Sequence, residues 1–514
     1  MFHTHNPVDE IRRTQFAGTW YESNPDTLTK EIDGYLSNAK TEPDAESGAR
    51  VEASSQPING TVMAIISPHA GYMFSGQTAA FAYKSAQAAS VKRIFLLGPS
   101  HYVGFQGAAL PQAKQFATPL GNIDVDTAVI DELRAYPSFS TQVDVHKVEH
   151  SLELQLPYIK HCFPNAKIVP IVVGQLNGEP DARFIGSILK GFIGKGDLVV
   201  VSSDFTHYGP RYGYTPFMGL TDAAKRVEKM DGEAFKLLGN VDLKGFVEFL
   251  RRTGDTICGM FPCQVLLAML PQTSHGTLLK YATSKESSAE DKNNSVSYLS
   301  IVFSGAEWPE SPGAVPTAKE LINLNAEERK TLLTLARKSI ETFLKEKRHP
   351  SPEQLGLTIT PAMKECFGVF VTLNQVGPDP NDKEGKDLRG CIGSIYPVHP
   401  MHEAVQENAV AAATRDPRFT PVSLAELEKL VLDINVLTPP RRIASWNEIV
   451  IGRDGVILTK GNHQAVFLPQ VAVEWGWNLE EMLTQLSLKA GLPRDAWREG
   501  AKFDVFQSEQ IHEK

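Results

Sequence analysis

Three short polar turns in this sequence place histidines directly after apolar runs. Ile65-Ile66-Ser67-Pro68-His69 puts His69 behind one run, and Leu96-Leu97-Gly98-Pro99-Ser100-His101 puts His101 behind another. Val201-Ser202-Ser203-Asp204-Phe205-Thr206-His207 adds Asp204 and His207 behind a third. Neutral imidazole is the commonest protein ligand for iron, zinc and copper, and two imidazoles plus one anionic ligand leave positions open for substrate or O2. The anionic candidate is Cys258, in Asp255-Thr-Ile-Cys258-Gly259. A thiolate selects softer metals, ferrous iron, Cu(+) or Zn(2+), over magnesium or calcium. Any one of these residues alone reads as a capping histidine or a small buried hydrophobe; the joint pattern points to a metal. His146, His150 and Glu153 recur at i, i+4 and i+7, which predicts one helix face, either supporting the metal from behind or merely facing solvent. A second constellation centres on Cys391, read as a glycine turn between Gly390 and Ile392-Gly393. Such a thiol is either a structural feature or a nucleophile activated by a nearby base or by Arg389. Arg415, in Arg415-Asp-Pro-Arg-Phe419, either binds an anion or pairs with Asp416 to pin a helix end, and His463 is the candidate base.

The elements that must position these residues are legible from the pattern. Runs 62–67, 93–98, 166–173 and 197–202 predict buried strands, and 77–84 predicts a helix. This alternation implies an α/β domain with a central, mostly parallel sheet, in which functional groups gather at the carboxyl ends of strands. The three histidine turns should therefore share one rim. The run 296–303 closes the domain as a strand, and a proline- and glycine-rich seam follows. Asn325 then reads as the N-cap of a helix. Helices over 332–344 and 402–414, with alternating strands over 367–373 and 431–437, predict an α+β domain. Gln375 to Asp387 reads as a flexible hairpin loop. The expected organisation is 1–304, a linker 305–324, and 325–514.

Bulk composition narrows the function classes. At 514 residues, with 42% hydrophobic and 22% charged residues, the chain fits a globular protein of two or more domains. A net charge of −9 disfavours nucleic acid as the main partner. The start lacks the basic and apolar regions of a secretory signal, and no run reaches the roughly 18 apolar residues of a membrane helix. Five cysteines are too sparse for a disulfide framework. A cytoplasmic location without membrane attachment is the expectation.

The blocks Gly18-Thr-Trp-Tyr21, Ser67-Pro-His-Ala-Gly-Tyr72, Gly98-Pro-Ser-His101, Glu149-His-Ser-Leu-Glu153, Ser202-Ser-Asp-Phe-Thr-His207 and Asp255-Thr-Ile-Cys-Gly259 resemble the MEMO family, in order, across residues 10 to 304. That family's fold is similar to the class III extradiol dioxygenases, whose non-haem ferrous iron is held by two histidines and a glutamate. The MEMO pattern has cysteine for the glutamate, as here at Cys258. The resemblance implies His69, His101 and Cys258 as ligands for iron or copper, Asp204 and His207 as pocket residues, and His207 as an acid/base group. Leu388-Arg-Gly-Cys-Ile-Gly393, Arg415-Asp-Pro-Arg-Phe419, Phe467-Leu-Pro-Gln-Val471 and Lys489-Ala-Gly-Leu-Pro493 resemble the AMMECR1 family across roughly 325 to 510. Ser487 departs from the cysteine common there. The pairing implies the AmmeMemoRadiSam system, with a separate radical SAM partner, because this chain has no Cys-x3-Cys-x2-Cys motif.

The leading expectation is a metal-dependent oxidoreductase of dioxygenase type. It uses Fe(2+), with Cu(+) or Zn(2+) as alternatives, on an unidentified small molecule or peptide, and the second domain assists. His150, Glu153, Arg389 and Arg415 are expected around the metal or the substrate, and Asp204, His207 and Cys391 in catalysis. The alternative is a non-catalytic metal- or peptide-binding scaffold, and a third reading is a hydrolase using Cys391.

Overall fold

The structure is a computed structural model. It describes residues 10–52, 56–87, 90–136, 138–140, 143–287, 293–310, 322, 324–375, 387–396, 399–443 and 445–513. Most of the seam at 305–324, and the stretch read as a hairpin loop after Gln375, lie outside them. The chain divides into two compact units, residues 1–134 with 138–313, and 314–514 with 135–137.

In the first unit, runs of valine, isoleucine and leucine form strands because β-branched side chains pack well on a pleated surface covered from both sides. These are β1 (Ala64–Ser67), β2 (Arg93–Pro99), β3 (Lys167–Val173) and β4 (Asp197–Ser202), nearly all of whose residues are buried. They lie side by side in the order β1-β4-β2-β3, all parallel. The flanks differ from the mostly parallel sheet expected. β5 (His275–Thr283) and β6 (Ser295–Ser304), consecutive in the chain, pair antiparallel, and β6 also pairs antiparallel with β1. On the other side Ala108–Ala109 runs antiparallel to β3. The sheet is therefore mixed, with a parallel centre. Helix α1 (Tyr72–Ala86) packs on β1 and β6.

The predicted helix carrying His146, His150 and Glu153 is broken. Helix α2 (Val143–Val148) ends, Glu149 takes an extended conformation (φ −79°, ψ 128°), and a new turn, α3 (His150–Glu153), begins. The Glu149 carboxylate accepts the Ser151 N–H and so caps the second piece. The break separates the three side chains: His146 turns to the Ala109 carbonyl (2.8 Å), while His150 faces the strand ends. Helices α4 (Ala223–Gly239) and α5 (Met260–Met269) complete the elements near the site, and α5 packs on β2 and β4.

The second unit holds two antiparallel sheets with helices, an α+β arrangement. Helix α6 (Ala326–Glu346) opens with a reciprocal cap in which Asn325 and Glu328 each accept the other's backbone N–H. Strands β7 (Gly368–Gln375), β8 (Asp387–Ser394) and β9 (Leu430–Leu437) join the final strand Ser508–His512 in the order β8-β7-β9-last. Val369, Val371 and Leu373 point to one face and meet α6 and α7 (Met401–Thr414) in a core with Leu332, Ala409 and Ala412. The second sheet contains Arg441–Ile443, β10 (Gly455–Lys460), β11 (His463–Phe467) and Lys502–Phe506. Its core includes Trp497 and two residues of α8 (Leu479–Lys489), Leu483 and Leu486. Cys391 lies inside strand β8, not in a turn. Its neighbouring glycines serve close packing: a Cβ on Gly390 would meet the Ala412 carbonyl at 2.2 Å, and one on Gly393 the Phe370 ring at 2.3 Å. Among the described residues no helix is long and apolar enough to cross a membrane.

Candidate metal centre

Parallel strands end side by side, so β1, β4 and β2 deliver their polar turns to one place. His69 leaves β1 and is buried; its backbone N–H donates to Asp204 Oδ1 at 2.8 Å, tying the β1 and β4 turns together. Its Nδ1 is 2.9 Å from Ser202 Oγ. The Ser202 hydroxyl gives its own proton to the Ser151 carbonyl (2.6 Å) and accepts from Gln155 Nε2 (2.9 Å). Ser202 therefore has only acceptor capacity left for His69, which places the imidazole proton on Nδ1 and leaves the Nε2 lone pair free. His101 is fixed the same way by a carboxylate. Glu149 accepts the His101 Nδ1–H at 2.8 Å and the His101 backbone N–H at 2.7 Å. Burial pushes the Glu149 carboxyl up, but the His101 and Ser151 contacts overcome it and hold it down at about 2.

His150 completes a compact group. Its ring lies 4.2 Å from that of His101 and 5.3 Å from that of His69, centroid to centroid. One ligand atom from each of the three histidines falls within 4.8 Å of the others. His150 Nδ1 is buried with no hydrogen-bond partner among the described residues. Burial, then the neighbouring His101, pushes His150 down to about 3, and burial with the same neighbours pushes His69 well below the usual histidine range. Three imidazoles converge, with burial disfavouring the charged form of His69 and His150 and with the ring protons of His69 and His101 pinned on the outer nitrogen, which is the arrangement a cation needs.

Cys258 adjoins the group from the turn before α5. Its Sγ lies 3.2 Å from His69 Nε2 and accepts the Asp204 N–H at 3.1 Å. Burial, then Asp204, holds the thiol well above its ordinary pKa. Reaches of about 2.0–2.1 Å for nitrogen and about 2.3 Å for sulfur put two ligand atoms on one ion roughly 3.1–3.6 Å apart, so the observed separation suits a shared cation. A cation there would also favour the thiolate. Asp204 is buried, and burial raises its carboxyl despite the opposing pull of His207. The His207 ring holds Nδ1 on the Phe205 carbonyl (2.9 Å) and meets Tyr212 edge-on, with centroids 5.1 Å apart.

His69, His101, His150, Asp204 and His207 line a cleft of about 700 Å³ walled by Trp20, Tyr212 and Tyr298, within the range of small-molecule pockets. Trp20, which stood in a quoted block without a role, is set in this wall by Glu153. That carboxylate does not enter the cleft. It pairs with Arg12 and accepts the Gln15 and Phe16 N–H groups (2.9 and 2.8 Å) and the Tyr21 hydroxyl (2.9 Å), anchoring the segment that carries Phe16 and Trp20. Two more residues stood in quoted blocks but were given no role: Glu149, the carboxylate that orients His101, and Thr206, which lies between Asp231 and Asp255.

In the second unit, Arg389 pairs with Glu426 (2.5 Å) and donates to the Thr420 carbonyl (2.8 Å), so it pins a loop. Arg415 is exposed, with Glu407 at 3.9 Å. His463 holds Nδ1 on the Ala490 carbonyl at 2.9 Å. Neither arginine bonds Cys391.

Fold and site thus define an α/β domain with a histidine-rich centre at its strand ends, followed by an α+β unit. The chain belongs to the Memo-like protein family, whose model matches residues 12–302, and the AMMECR1 model matches residues 333–511. It is 33% identical to the memo-1 homolog of Caenorhabditis elegans over 265 residues, covering 50% of this chain and 71% of that protein. It is 30% identical to a MEMO1 family protein of Schizosaccharomyces pombe over 320 residues, 56% of this chain and 97% of that one. The chain is also similar to the solved structure of the uncharacterized protein PH0010 from Pyrococcus horikoshii, at 41% identity with a TM-score of 0.35. That match covers 37% of this chain and 94% of PH0010.

Proposed function

We propose that the first unit is a metal-dependent oxidoreductase of non-haem dioxygenase type, with ferrous iron held by His69, His101 and Cys258. The convergence of three imidazoles that line an aromatic-walled cleft, with a thiol 3.2 Å from one of them, carries this reading. A mixed nitrogen and sulfur set suits Fe(2+), Cu(+) or Zn(2+) and disfavours magnesium and calcium. Ferrous iron would supply redox chemistry toward O2 and Lewis acidity toward a substrate hydroxyl. The chain's own residues do the rest. Trp20 and Tyr212 confine a flat substrate, and His207, its Nδ1 proton committed to the Phe205 carbonyl, offers Nε2 to take a hydroxyl proton. Asp204 holds the turns of β1 and β4 together through the His69 N–H. The radical SAM partner and the assisting role of the second unit belong to this proposal through the family resemblance. The placement of His150 favours a second ligand set, in which it replaces Cys258.

Metal content of anaerobically purified protein, measured by plasma mass spectrometry, tests both sets. Near-stoichiometric iron or copper in the wild type is expected, lost in His101→Ala and Cys258→Ala and retained in His150→Ala. Loss in His150→Ala with retention in Cys258→Ala would select the three-histidine set. A wild type that takes up no metal after anaerobic reconstitution would sink the oxidoreductase reading and leave a binding module.

A further inference from the structure

Strand β6 passes directly beside the turns of the metal centre. Its residues Phe303, Val302 and Ile301 pair with Ala64, Ile65 and Ile66 of β1. Three residues further on in this antiparallel pairing stand Tyr298 on β6 and His69 on the turn after β1. On the other side of β6, Val296 pairs with His207. Ser297 is bonded into the turn before His207: its carbonyl accepts the Phe205 N–H (2.8 Å) and its own N–H donates to the Thr206 carbonyl (3.1 Å). Alternate residues of a strand share a face, so Tyr298 points the same way as Val296. Both line the cleft that holds His69, His101, His150 and His207.

The tyrosines around this cleft differ in what their hydroxyls do. Tyr21 gives its hydroxyl to Glu153 and Tyr72 to the Leu154 carbonyl, each at 2.9 Å. Tyr298 is only 2% exposed, yet its hydroxyl has no hydrogen-bond partner among the described residues. Buried tyrosine hydroxyls usually find a partner, because a polar group left unpaired away from water costs free energy. Here the donor is left for whatever occupies the cleft. Burial, then Asp204, Tyr212 and Cys258, pushes the phenol well above its ordinary range, so its proton stays in place. His207 is the complement. Its Nδ1 proton is committed to the Phe205 carbonyl, which leaves Nε2 as an acceptor. One strand pairing therefore brings a proton acceptor and a hydrogen-bond donor to the same cleft.

We propose that Tyr298 is a catalytic residue of this cleft, the donor that holds the substrate's oxygen as that oxygen gives up its proton to His207. This role rests on the reading of the cleft as a substrate site. The substrate O–H bond breaks, the proton passes to His207 Nε2, and the electron pair stays on the oxygen, which accepts the Tyr298 O–H. A hydrogen bond to an ionised oxygen is stronger than one to a neutral hydroxyl, so the contact tightens as charge develops. The phenol keeps its own proton throughout, and nothing is oxidised or reduced in this step. The substrate class that suits the pair is a flat molecule with an acidic hydroxyl, because a neutral imidazole is too weak a base for an aliphatic alcohol.

The test uses full-length protein stripped of metal by a chelator, with 4-nitrophenol as the probe and 4-nitroanisole, which has no ionisable hydroxyl, as the control. The metal reading fails if no metal is taken up, whereas the role of Tyr298 fails only on probe binding, so the two failures are distinguishable. Ionised 4-nitrophenol is yellow, and absorbance reads how much of the bound probe has lost its proton. Wild type should lower the probe's pKa on binding. Tyr298→Phe keeps the ring and loses only the hydroxyl. It should weaken the anion roughly tenfold and move the bound probe's pKa up by about one unit, with 4-nitroanisole binding and circular dichroism unchanged. An equal loss for both probes would make Tyr298 a piece of the wall and overturn the proposal. So would anion binding indifferent to the substitution, or no binding of 4-nitrophenol to wild type at a pH where the anion dominates.

Discussion

At the residue scale, the metal centre is defined by where protons are forced to sit. Ser202 has one hydroxyl proton and spends it on Ser151, so His69 must carry its own proton on Nδ1. Glu149 accepts twice from His101 and cannot donate in its ionised form. The consequence is a testable asymmetry. Glu149→Gln keeps one acceptor oxygen but substitutes a donor for the other, so the His101 backbone N–H and ring can no longer both be satisfied. Metal retention should weaken by about 10- to 100-fold, while far-ultraviolet circular dichroism stays native. Titration with a competing chelator reads the affinity. Unchanged affinity would mean that the carboxylate serves only to cap α3.

At the element scale, the site is an agreement between turns, and a buried acid pair enforces it. Thr206 Oγ1 lies 2.7 Å from Asp231 Oδ1 and 3.0 Å from Asp255 Oδ1, linking the His207 turn to helix α4 and to the Cys258 turn. Tyr281 gives its hydroxyl to the other Asp231 oxygen at 2.8 Å. One hydroxyl proton cannot serve both aspartates. Burial, then the charge of Asp231, raises Asp255 to about 7, so it holds a proton that bonds back to Thr206. A raised carboxyl binds its proton more tightly folded than unfolded. Its stabilising contribution is full below the unfolded value near 4 and is lost as pH rises through about 7. Asp255→Asn mimics the protonated form. Its stability relative to wild type should rise by more than about 1 kcal/mol between pH 5 and pH 8. Urea unfolding of both proteins at the two pH values reads this difference, and parallel changes would place the proton elsewhere.

The same scale shows how much the sequence disclosed. The turns after β1, β2 and β4 were legible because an apolar run followed by a Pro-His or Ser-Asp turn has few other uses in an α/β sheet. The segment carrying His146, His150 and Glu153 was read as one helix face because the 3.6-residue period was carried through Glu149, where a side-chain cap starts a new turn after the first helix has ended. Cys391 was read as a turn because glycines usually mark turns; here they admit Ala412 and Phe370 to the faces of a strand. The antiparallel flank of the sheet was not visible, since strand direction is set by pairings made across the whole unit.

At the scale of the whole molecule, the candidate site is built within one unit. His69, His101, His150, Asp204, His207 and Cys258 all belong to the first. The second unit has its own buried cores, one around Val371 and Leu332 and another around Trp497 and Leu483. A unit with its own core folds as a cooperative body when separated at an exposed connection. Residues 1–313 and 314–514, produced separately, should therefore each unfold in one cooperative transition. The first should retain the metal stoichiometry of the full chain. Metal lost from the isolated first unit, with its circular dichroism native, would show that the second unit completes the centre. The complementary outcome, metal retained at the stoichiometry and affinity of the full chain, would show that the centre is complete within the first unit. Mixing the two separated units distinguishes these cases: a centre completed in trans regains metal with saturable dependence on the second unit's concentration, whereas a self-sufficient centre shows no such dependence.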